Sequence, residues 1–137
     1  MACMARTGRT RRGAVIMRSE YETLRLDRHG TPLLAVTLNR PEAANAINTQ
    51  MGHDLVSVFE ALAQGGIGEL RCVVLTGAGD KAFCAGGDLK ERRGMTNAAW
   101  AAQHLVFERA ARALLGCPLP VIGAINGAAY GGGCEMA

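Results

Sequence analysis

The sequence lacks the features that mark several classes of protein. No apolar stretch approaches the roughly 20 residues that a helix needs to cross a bilayer, so we expect no membrane span. The five cysteines are odd in number and form no C-x-x-C pair, which favours reduced thiols in a cytoplasmic-type compartment over disulfides or zinc. There is no phosphate-binding loop of the form G-x-x-x-x-G-K-S/T, and there are no internal repeats.

A basic surface is also absent outside the first residues. The chain has 15 Lys and Arg against 12 Asp and Glu, a formal net charge of +3, but four of the arginines lie within residues 1–16. Without them 11 basic residues stand against 12 acidic ones, so no nucleic-acid partner is predicted. Residues 1–18 are predicted to be a disordered arm or a start-site extension. The alternative is a mitochondrial transit peptide, which would place the protein in the matrix, because the arm is Arg-rich and lacks acids.

What the chain does contain is an alternation of strand and helix signals. Residues 21–28 and 33–38 are predicted to be two strands of a hairpin, because turn-forming residues separate them. A helix capped by Asn48 should follow and end at Gly65 and Gly66. Its apolar stripe has five members at helical spacing: Ile47, Met51, Leu55, Val58 and Leu62.

The second half of the chain continues the alternation. Residues 72–76 are expected to be a strand buried on both faces, because no polar residue alternates along it until Thr76. A glycine-bearing loop, residues 77–94, should lead to a helix that begins at Thr96 and ends at Gly116. The predicted apolar stripe of that helix comprises Trp100, His104, Phe107, Ala111 and Leu114, with His104 a packed core histidine rather than a ligand. A strand over 119–125 and a helix start complete an α/β domain, residues 19–137, with a largely parallel sheet.

Three glycine-rich loops are considered as candidates for a functional site. Residues 77–82 match the dinucleotide fingerprint G-x-G-x-x-A, but another loop follows instead of a helix, so they are interpreted as a tight turn. The other two glycine loops, residues 83–90 and 126–135, each follow a candidate parallel strand at the edge where open α/β sheets bind ligands. Backbone N–H groups from both would converge on one oxygen, with Glu135 beside them as a general acid or base. The alternative is a glycine-rich turn next to a solvated glutamate.

Four ordered segments carry a more specific signal. They are N-R-P-E-A-A-N-A-I-N (39–48), V-V-L-T-G (73–77), A-F-C-A-G-G-D-L-K-E (82–91), and P-V-I-G-A-I-N-G (120–127) running into G-G-G-C-E (131–135). Together they resemble the enoyl-CoA hydratase/isomerase family, often called the crotonase family. The resemblance implies a spiral of ββα units that forms a CoA-binding core, usually assembled as a homotrimer or a homohexamer. It also implies that the chain is the N-terminal part of a longer family domain.

The resemblance implies roles for individual residues. Gly87 and Gly132 would donate the two N–H groups of an oxyanion hole around a thioester carbonyl, and Gly87 stands where alanine is commoner in the family. Glu135 would hold and deprotonate the water that adds to a trans-2-enoyl-CoA. The positions implied for CoA binding are Ala43, Ala44, Ala46, Ala85, Gly86, Asp88, Leu89 and Lys90.

These implications predict an enoyl-CoA hydratase-like enzyme that adds water across the double bond of a 2-enoyl-CoA through an oxyanion-stabilised enolate. No metal and no separate cofactor are expected, since CoA arrives with the substrate. The second family glutamate would lie beyond Ala137, so the 137 residues alone are expected to be inactive. Two alternatives stay open: a double-bond isomerase of the same family, and a non-catalytic polypeptide that keeps part of the CoA site or an oligomer interface.

Overall fold

The computed structural model describes residue 18 and residues 20–28, 32–65 and 68–137. The predictions made for the N-terminal arm, for the hairpin turn at 29–31 and for Gly66 fall outside these residues, apart from residue 18. No helix in the described part of the chain is long and apolar enough to span a membrane.

Strands and helices alternate along the described chain. In order they are β1 (Leu24–Asp27), β2 (Leu33–Leu38), a 3-10 turn (Pro41–Ala43), α1 (Thr49–Ala63), β3 (Cys72–Gly77), β4 (Ala82–Cys84), α2 (Leu89–Arg93), α3 (Asn97–Leu115), β5 (Val121–Ala124), β6 (Ala128–Ala129) and α4 (Gly132–Met136). Strands β1, β2, β3 and β5 form one sheet in that order. The β1–β2 pair is antiparallel whereas β2–β3 and β3–β5 are parallel, which confirms the predicted hairpin and the largely parallel sheet.

Helix α1 forms where its capping signal and apolar period predict it. The Asn48 side-chain oxygen accepts a hydrogen bond from the Met51 N–H at 2.9 Å, as an N-cap residue does. Its inward residues Met51, Leu55, Val58 and Leu62 are buried in the core with β2 and β3. The helix ends at Ala63, and Gly65 follows with φ +98°, a conformation that suits glycine after a helix.

The predicted apolar stripe of α3 is confirmed only for Phe107 and Leu114, which are partly buried against the core. Trp100, His104 and Ala111 are exposed, and the buried residues of the helix are Gln103 and Ala110. The inner face of the helix therefore also includes the polar Gln103, which finds hydrogen-bond partners in Thr49 and Glu91. His104 is not a packed core histidine: its ring stacks on Trp100 with centroids 5.6 Å apart.

Two further predictions need correction. Strand β3 is not buried on both faces: Val73 and Leu75 are buried whereas Val74 is partly exposed, because the core completed by α1 lies against one face of the sheet. The segment 77–94 is not one continuous loop, since it contains the buried strand β4 and the five-residue helix α2. Strand β4 pairs in parallel with β6, and that pairing between distant segments has no local sequence signal.

Candidate active site

The pairing of β4 with β6 brings the two glycine loops together. The Tyr130 N–H donates to the Cys84 carbonyl at 3.0 Å. Gly86 has φ +83°, and a Cβ there would lie 2.7 Å from the Tyr130 carbonyl oxygen, so only glycine fits. A Cβ at Gly133 would come closer still to the carbonyl oxygen of Cys84. Glycines therefore allow the two loops to lie in direct backbone contact.

One free amide belongs to Gly87. Ile47 forms a parallel bridge with Gly87, in which the Ile47 N–H donates to Gly86 at 2.7 Å and the Asp88 N–H donates to Ile47 at 2.9 Å. In this pattern Ile47 bonds to the two residues on either side of Gly87: its N–H donates to the Gly86 carbonyl, and its carbonyl accepts from the Asp88 N–H. The N–H of Gly87 itself therefore takes no part in the bridge. That N–H has no acceptor among the described residues.

A second free amide lies nearby at Gly132. The N–H groups of Gly133, Cys134 and Glu135 all donate to backbone carbonyls of residues 130 and 131. Within the described ranges Gly132 has no such acceptor. Its nitrogen is 3.4 Å from the position of a Cβ built at Gly86, so it lies beside the first loop. Two unpaired N–H groups thus come from adjacent loops, an arrangement that can stabilise one negatively charged oxygen.

Both glycines line a cleft of about 990 Å³. Its walls come from the two loops, α2, α3, β5 and α4, and are mostly apolar. Glu135 also lines the cleft, on the first turn of α4 and exposed to solvent. The cleft thus combines apolar walls, two amide donors and a carboxylate, as expected for a site that binds a small molecule and moves a proton.

The other predicted binding residues are divided between the cleft and its surroundings. Ala85, Gly86 and Leu89 line the cleft, whereas Lys90 is exposed and lies outside the lining. Ala44 lines a separate pocket of about 180 Å³ beside the β3–β4 turn. Ala43 and Ala46 lie in the same 41–46 segment but line neither cavity.

Asp88 has a structural position. Its Oδ1 accepts from the N–H groups of Lys90 and Glu91 at 3.0 and 3.2 Å, which caps α2, and its Oδ2 pairs with Arg40 at 3.0 Å. Burial raises the pKa of this carboxyl, but the hydrogen bonds from Glu91, Arg40 and Lys90 outweigh burial and leave the pKa below its ordinary value. These bonds fix the residue next to Gly87.

Two asparagines support the loops, and neither was predicted from the sequence to have a role there. Asn45 is fully buried, and its Nδ2 donates to Ala78 and Ala82 carbonyls at 2.9 Å each. Asn126 accepts from the Gly77 N–H at 3.0 Å and donates to the Gly77 carbonyl at 2.8 Å. Asn126 precedes a glycine, a pair that signals such side-chain bonding without identifying the partners, whereas Asn45 lies between two alanines and has no such signal.

Arg92 and Gln103 also lie at or beside the cleft and were not predicted from the sequence as site residues. Arg92 lines the cleft, its guanidinium carbon is 5.9 Å from the centre of the Phe107 ring, and its Nε is 3.4 Å from Gln103 Oε1. A cation in a run of charged residues, K-E-R-R, carries no sequence signal that separates it from its solvated neighbours.

Comparison with known proteins identifies the class to which this fold and cleft belong. The profile of the enoyl-CoA hydratase/isomerase family matches residues 29–137, and the chain belongs to that family. The crystal structure of enoyl-CoA hydratase from Bacillus anthracis superimposes with a TM-score of 0.78 at 35% identity, covering 84% of this chain and 44% of the other. DspI from Pseudomonas aeruginosa also gives 0.78, at 31% identity over 88% of this chain and 44% of its own. The fold is therefore a portion of the crotonase fold.

Relatives of known name cover the same region. YngF of Bacillus subtilis, named as an enoyl-CoA hydratase/isomerase, is 45% identical over 102 residues, 74% of this chain and 38% of its own length. The short-chain-enoyl-CoA hydratase of Clostridium acetobutylicum is 36% identical over 118 residues, 86% of this chain and 44% of its own. The (E)-benzylidenesuccinyl-CoA hydratase of Thauera aromatica is 39% identical over 74% of this chain and 39% of its own. The chain spans less than half the length of each.

Proposed function

We propose that this chain provides the acyl-CoA cleft and the oxyanion-stabilising amides of an enoyl-CoA hydratase. One observation supports the proposal above all others: Gly87 and Gly132, from loops 45 positions apart, both line the cleft with unpaired N–H groups. Family membership supplies the acyl-CoA thioester as the class of ligand. Glu135 lines the same cleft and is the carboxylate assigned to the chemistry.

In the proposed reaction the thioester oxygen accepts hydrogen bonds from Gly87 and Gly132. Glu135 takes a proton from water, and the water oxygen bonds to the β-carbon of the enoyl group. The electron pair of the double bond moves towards the α-carbon and the thioester oxygen. The enolate then takes a proton at the α-carbon from the second glutamate that the resemblance implies, and proton exchange with water returns both carboxyl groups to their starting states. Negative charge develops on the oxygen that the two amides face, which is where fixed donors lower the barrier most.

The names of the relatives refer to different acyl-CoA substrates. One is named for a short-chain enoyl-CoA and another for (E)-benzylidenesuccinyl-CoA. Others carry names that combine hydratase and isomerase. Assays of this protein with different acyl-CoA thioesters, starting with crotonyl-CoA, identify the acyl group. The same assays distinguish hydration from double-bond migration.

Replacing Gly132 tests the oxyanion assignment. Gly132 begins α4, where proline is tolerated, and a Cβ there meets only Ile47 Cδ1 at 3.7 Å. Gly132→Pro removes the N–H and should slow hydration of crotonyl-CoA by the full-length protein about 10²–10³-fold. Gly132→Ala keeps the N–H and is the matched control, with hydration close to that of the parent. Equal rates in the two variants, followed as loss of enoyl-thioester absorbance, would show that this amide is not a donor.

Glu135→Gln tests the general base. The substitution keeps the size of the side chain and removes its basicity, so hydration should fall about 10²–10⁴-fold. Glu108→Gln is the control, because Glu108 lines the same cleft but pairs with Arg112 at 3.1 Å. Hydration at close to the parent rate in Glu135→Gln would make Glu135 a structural residue. Retained double-bond migration with no hydration in the parent protein would favour the isomerase.

The proposal includes one expectation for the isolated chain and one for the full-length protein. The resemblance implies a second glutamate outside the 137 residues, so these residues alone should bind acyl-CoA without hydrating it measurably. Assembly of the full-length protein as a homotrimer or homohexamer is the second expectation, and sedimentation equilibrium measures it. The exposed apolar side chains of α3 and β5, among them Leu105, Leu115 and Ile122, support an interface on this side of the molecule.

A further inference from the structure

We infer that Arg40 is a positioning residue for the proposed reaction. Through a chain of two hydrogen-bonded peptide groups, its positive charge strengthens the Gly87 N–H as a donor to the thioester oxygen. The inference rests on the proposed function, because it takes the amide of Gly87 as one of the two oxyanion donors. It adds to the site a residue that lies outside the cleft lining.

The chain begins at the guanidinium and ends at the free amide. Arg40 Nη1 donates to the Ala46 carbonyl oxygen at 2.6 Å. That carbonyl belongs to the same peptide group as the Ile47 N–H, which donates to the Gly86 carbonyl oxygen at 2.7 Å. The Gly86 carbonyl in turn shares a peptide group with the Gly87 N–H. Because the C=O and N–H of a trans peptide point in opposite directions, both groups turn their carbonyl towards the cation and their N–H away from it.

This alignment makes the last N–H of the chain a stronger donor. A positive charge at the carbonyl end polarises each peptide group, and hydrogen bonds in a chain strengthen one another by roughly 10–30% per bond. Both links are short, and the first is charge-assisted. The gain is largest when negative charge develops on the thioester oxygen, so Arg40 should act on the transition state more than on binding.

Burial keeps the charge of Arg40 effective. Its side chain is 18% exposed and that of its partner Asp88, 3.0 Å from the same Nη1, is 11% exposed, so water screens them little. Asp88 offsets the cation only in part, because its other oxygen accepts from the N–H groups of Lys90 and Glu91. Glu42 is 3.9 Å from Arg40 Nε but its side chain is 72% exposed, and solvent screens it. The carbonyl end of the chain therefore keeps a positive neighbour.

The backbone of Arg40 is fixed as well. Its N–H donates to Asn45 Oδ1 at 3.0 Å, and its carbonyl oxygen accepts from the N–H groups of Ala43 and Asn45 at 3.0 and 2.8 Å. Asn45 is fully buried, and carbonyl groups at the β3–β4 turn hold its side chain. This fixed backbone and the ion pair with Asp88 hold the guanidinium at the Ala46 carbonyl, as a polarising role requires.

The test measures the thioester carbonyl of a bound, non-reactive ligand. Butyryl-CoA labelled with ¹³C at its carbonyl carbon is saturated, so the full-length protein cannot hydrate it. Isotope-edited infrared difference spectra report the stretching frequency of that carbonyl, which falls as its hydrogen bonds strengthen. The parent protein should lower the frequency relative to the free thioester in water, and Arg40→Gln, at saturating ligand, should lose part of that shift.

The kinetics should change in the same direction. In Arg40→Gln the kcat for crotonyl-CoA hydration should fall about tenfold, less than the roughly 10²–10³-fold of a removed donor, because the donor is weakened and not lost. KM should change less than about twofold, since the interaction is made mainly in the transition state.

Asp88→Asn separates polarisation from structural support. It breaks the same ion pair but leaves the hydrogen bond from Arg40 to the Ala46 carbonyl, with the cation no longer offset. The carbonyl shift should therefore be retained or increased, whereas a purely structural ion pair predicts equal losses in Asp88→Asn and Arg40→Gln. Loss of the shift in Asp88→Asn overturns the inference even if Arg40→Gln does not fold.

Arg109→Gln is the matched control. It removes an arginine that pairs with both carboxylate oxygens of Glu60 at 2.7 Å and lies outside the cleft lining. Because no peptide chain of this kind connects that pair to the free amides, its infrared shift and kcat should match those of the parent.

The two proposals fail in different ways. If the parent protein leaves the thioester carbonyl at its frequency in water and does not hydrate crotonyl-CoA, the proposed function is wrong and the inference falls with it. If the parent lowers the frequency and Arg40→Gln lowers it equally, only the role of Arg40 is wrong.

Discussion

The two halves of the described chain differ in how they are packed. The large side chains that are fully buried all lie between Leu34 and Phe83. The large apolar side chains that are exposed all lie between Leu89 and Tyr130, and Leu115 reaches 87% exposure. We call residues 20–88 the packed region and residues 89–137 the open region. The cleft lies where the two regions meet.

The two regions contribute different parts of the site: the packed region holds loop backbone in place, and the open region presents side chains to a ligand. The amide of Gly87 belongs to the packed region, where Ile47, Asp88 and Asn45 hold its loop by hydrogen bonds. The open region supplies Glu135 and the apolar wall of α3, which a ligand can reach. The second donor, Gly132, belongs to the open region, where the hydrogen bond from the Tyr130 N–H to the Cys84 carbonyl holds its loop against the packed region. Fixed donors together with accessible side chains form a site that can stabilise a negatively charged oxygen on a ligand.

The largest expected contrast in stability compares one apolar residue from each region. Phe59 is fully buried in α1, and Phe59→Ala should lower the free energy of unfolding by about 3–5 kcal/mol through lost burial and an unfilled cavity. Leu105 is 67% exposed on α3, and Leu105→Ala should change it by less than about 0.5 kcal/mol. Urea unfolding at equilibrium measures both values. Similar losses in the two variants would contradict the division into a packed and an open region.

A smaller effect is expected at the boundary of the two regions, from Asp88. Asp88→Asn keeps an oxygen for capping α2 but loses the charge that pairs with Arg40, so a loss of about 1–3 kcal/mol is expected at neutral pH. Since the folded-state pKa is lowered below 3.8, the contribution is present above that value and is lost as pH falls through the folded pKa.

Unfolding free energies measured between neutral and acidic pH check this prediction. The difference between parent and Asp88→Asn should shrink as the pH falls below the ordinary value of the carboxyl. Asp80→Asn, on the exposed β3–β4 turn, serves as the control and should change stability by less than about 0.5 kcal/mol. A constant difference at all pH values would mean that the charge of Asp88 contributes nothing and that only the change in side-chain shape matters.

Sequence reasoning was most successful in the packed region. The hairpin, the Asn48 cap and the apolar face of α1 are all confirmed, because caps and apolar periods act within a few residues. It failed on the inward face of α3, where Gln103 is buried and Trp100 is not. Hydrophobicity alone predicts a nonpolar inner face, whereas Gln103 is buried because Thr49 and Glu91 on other elements bind it.

The sequence by itself determined the family segments, the α/β order of the elements and the two glycine loops, since these depend on residue type and local spacing. Only the tertiary structure decided that β4 pairs with β6, that the amides of Gly87 and Gly132 have no acceptors, and that Arg40 binds both Ala46 and Asp88. The physical reason is that an unpaired donor or a chain of hydrogen bonds is defined by its neighbours in space. Those neighbours come from segments far apart along the chain, which no local pattern specifies.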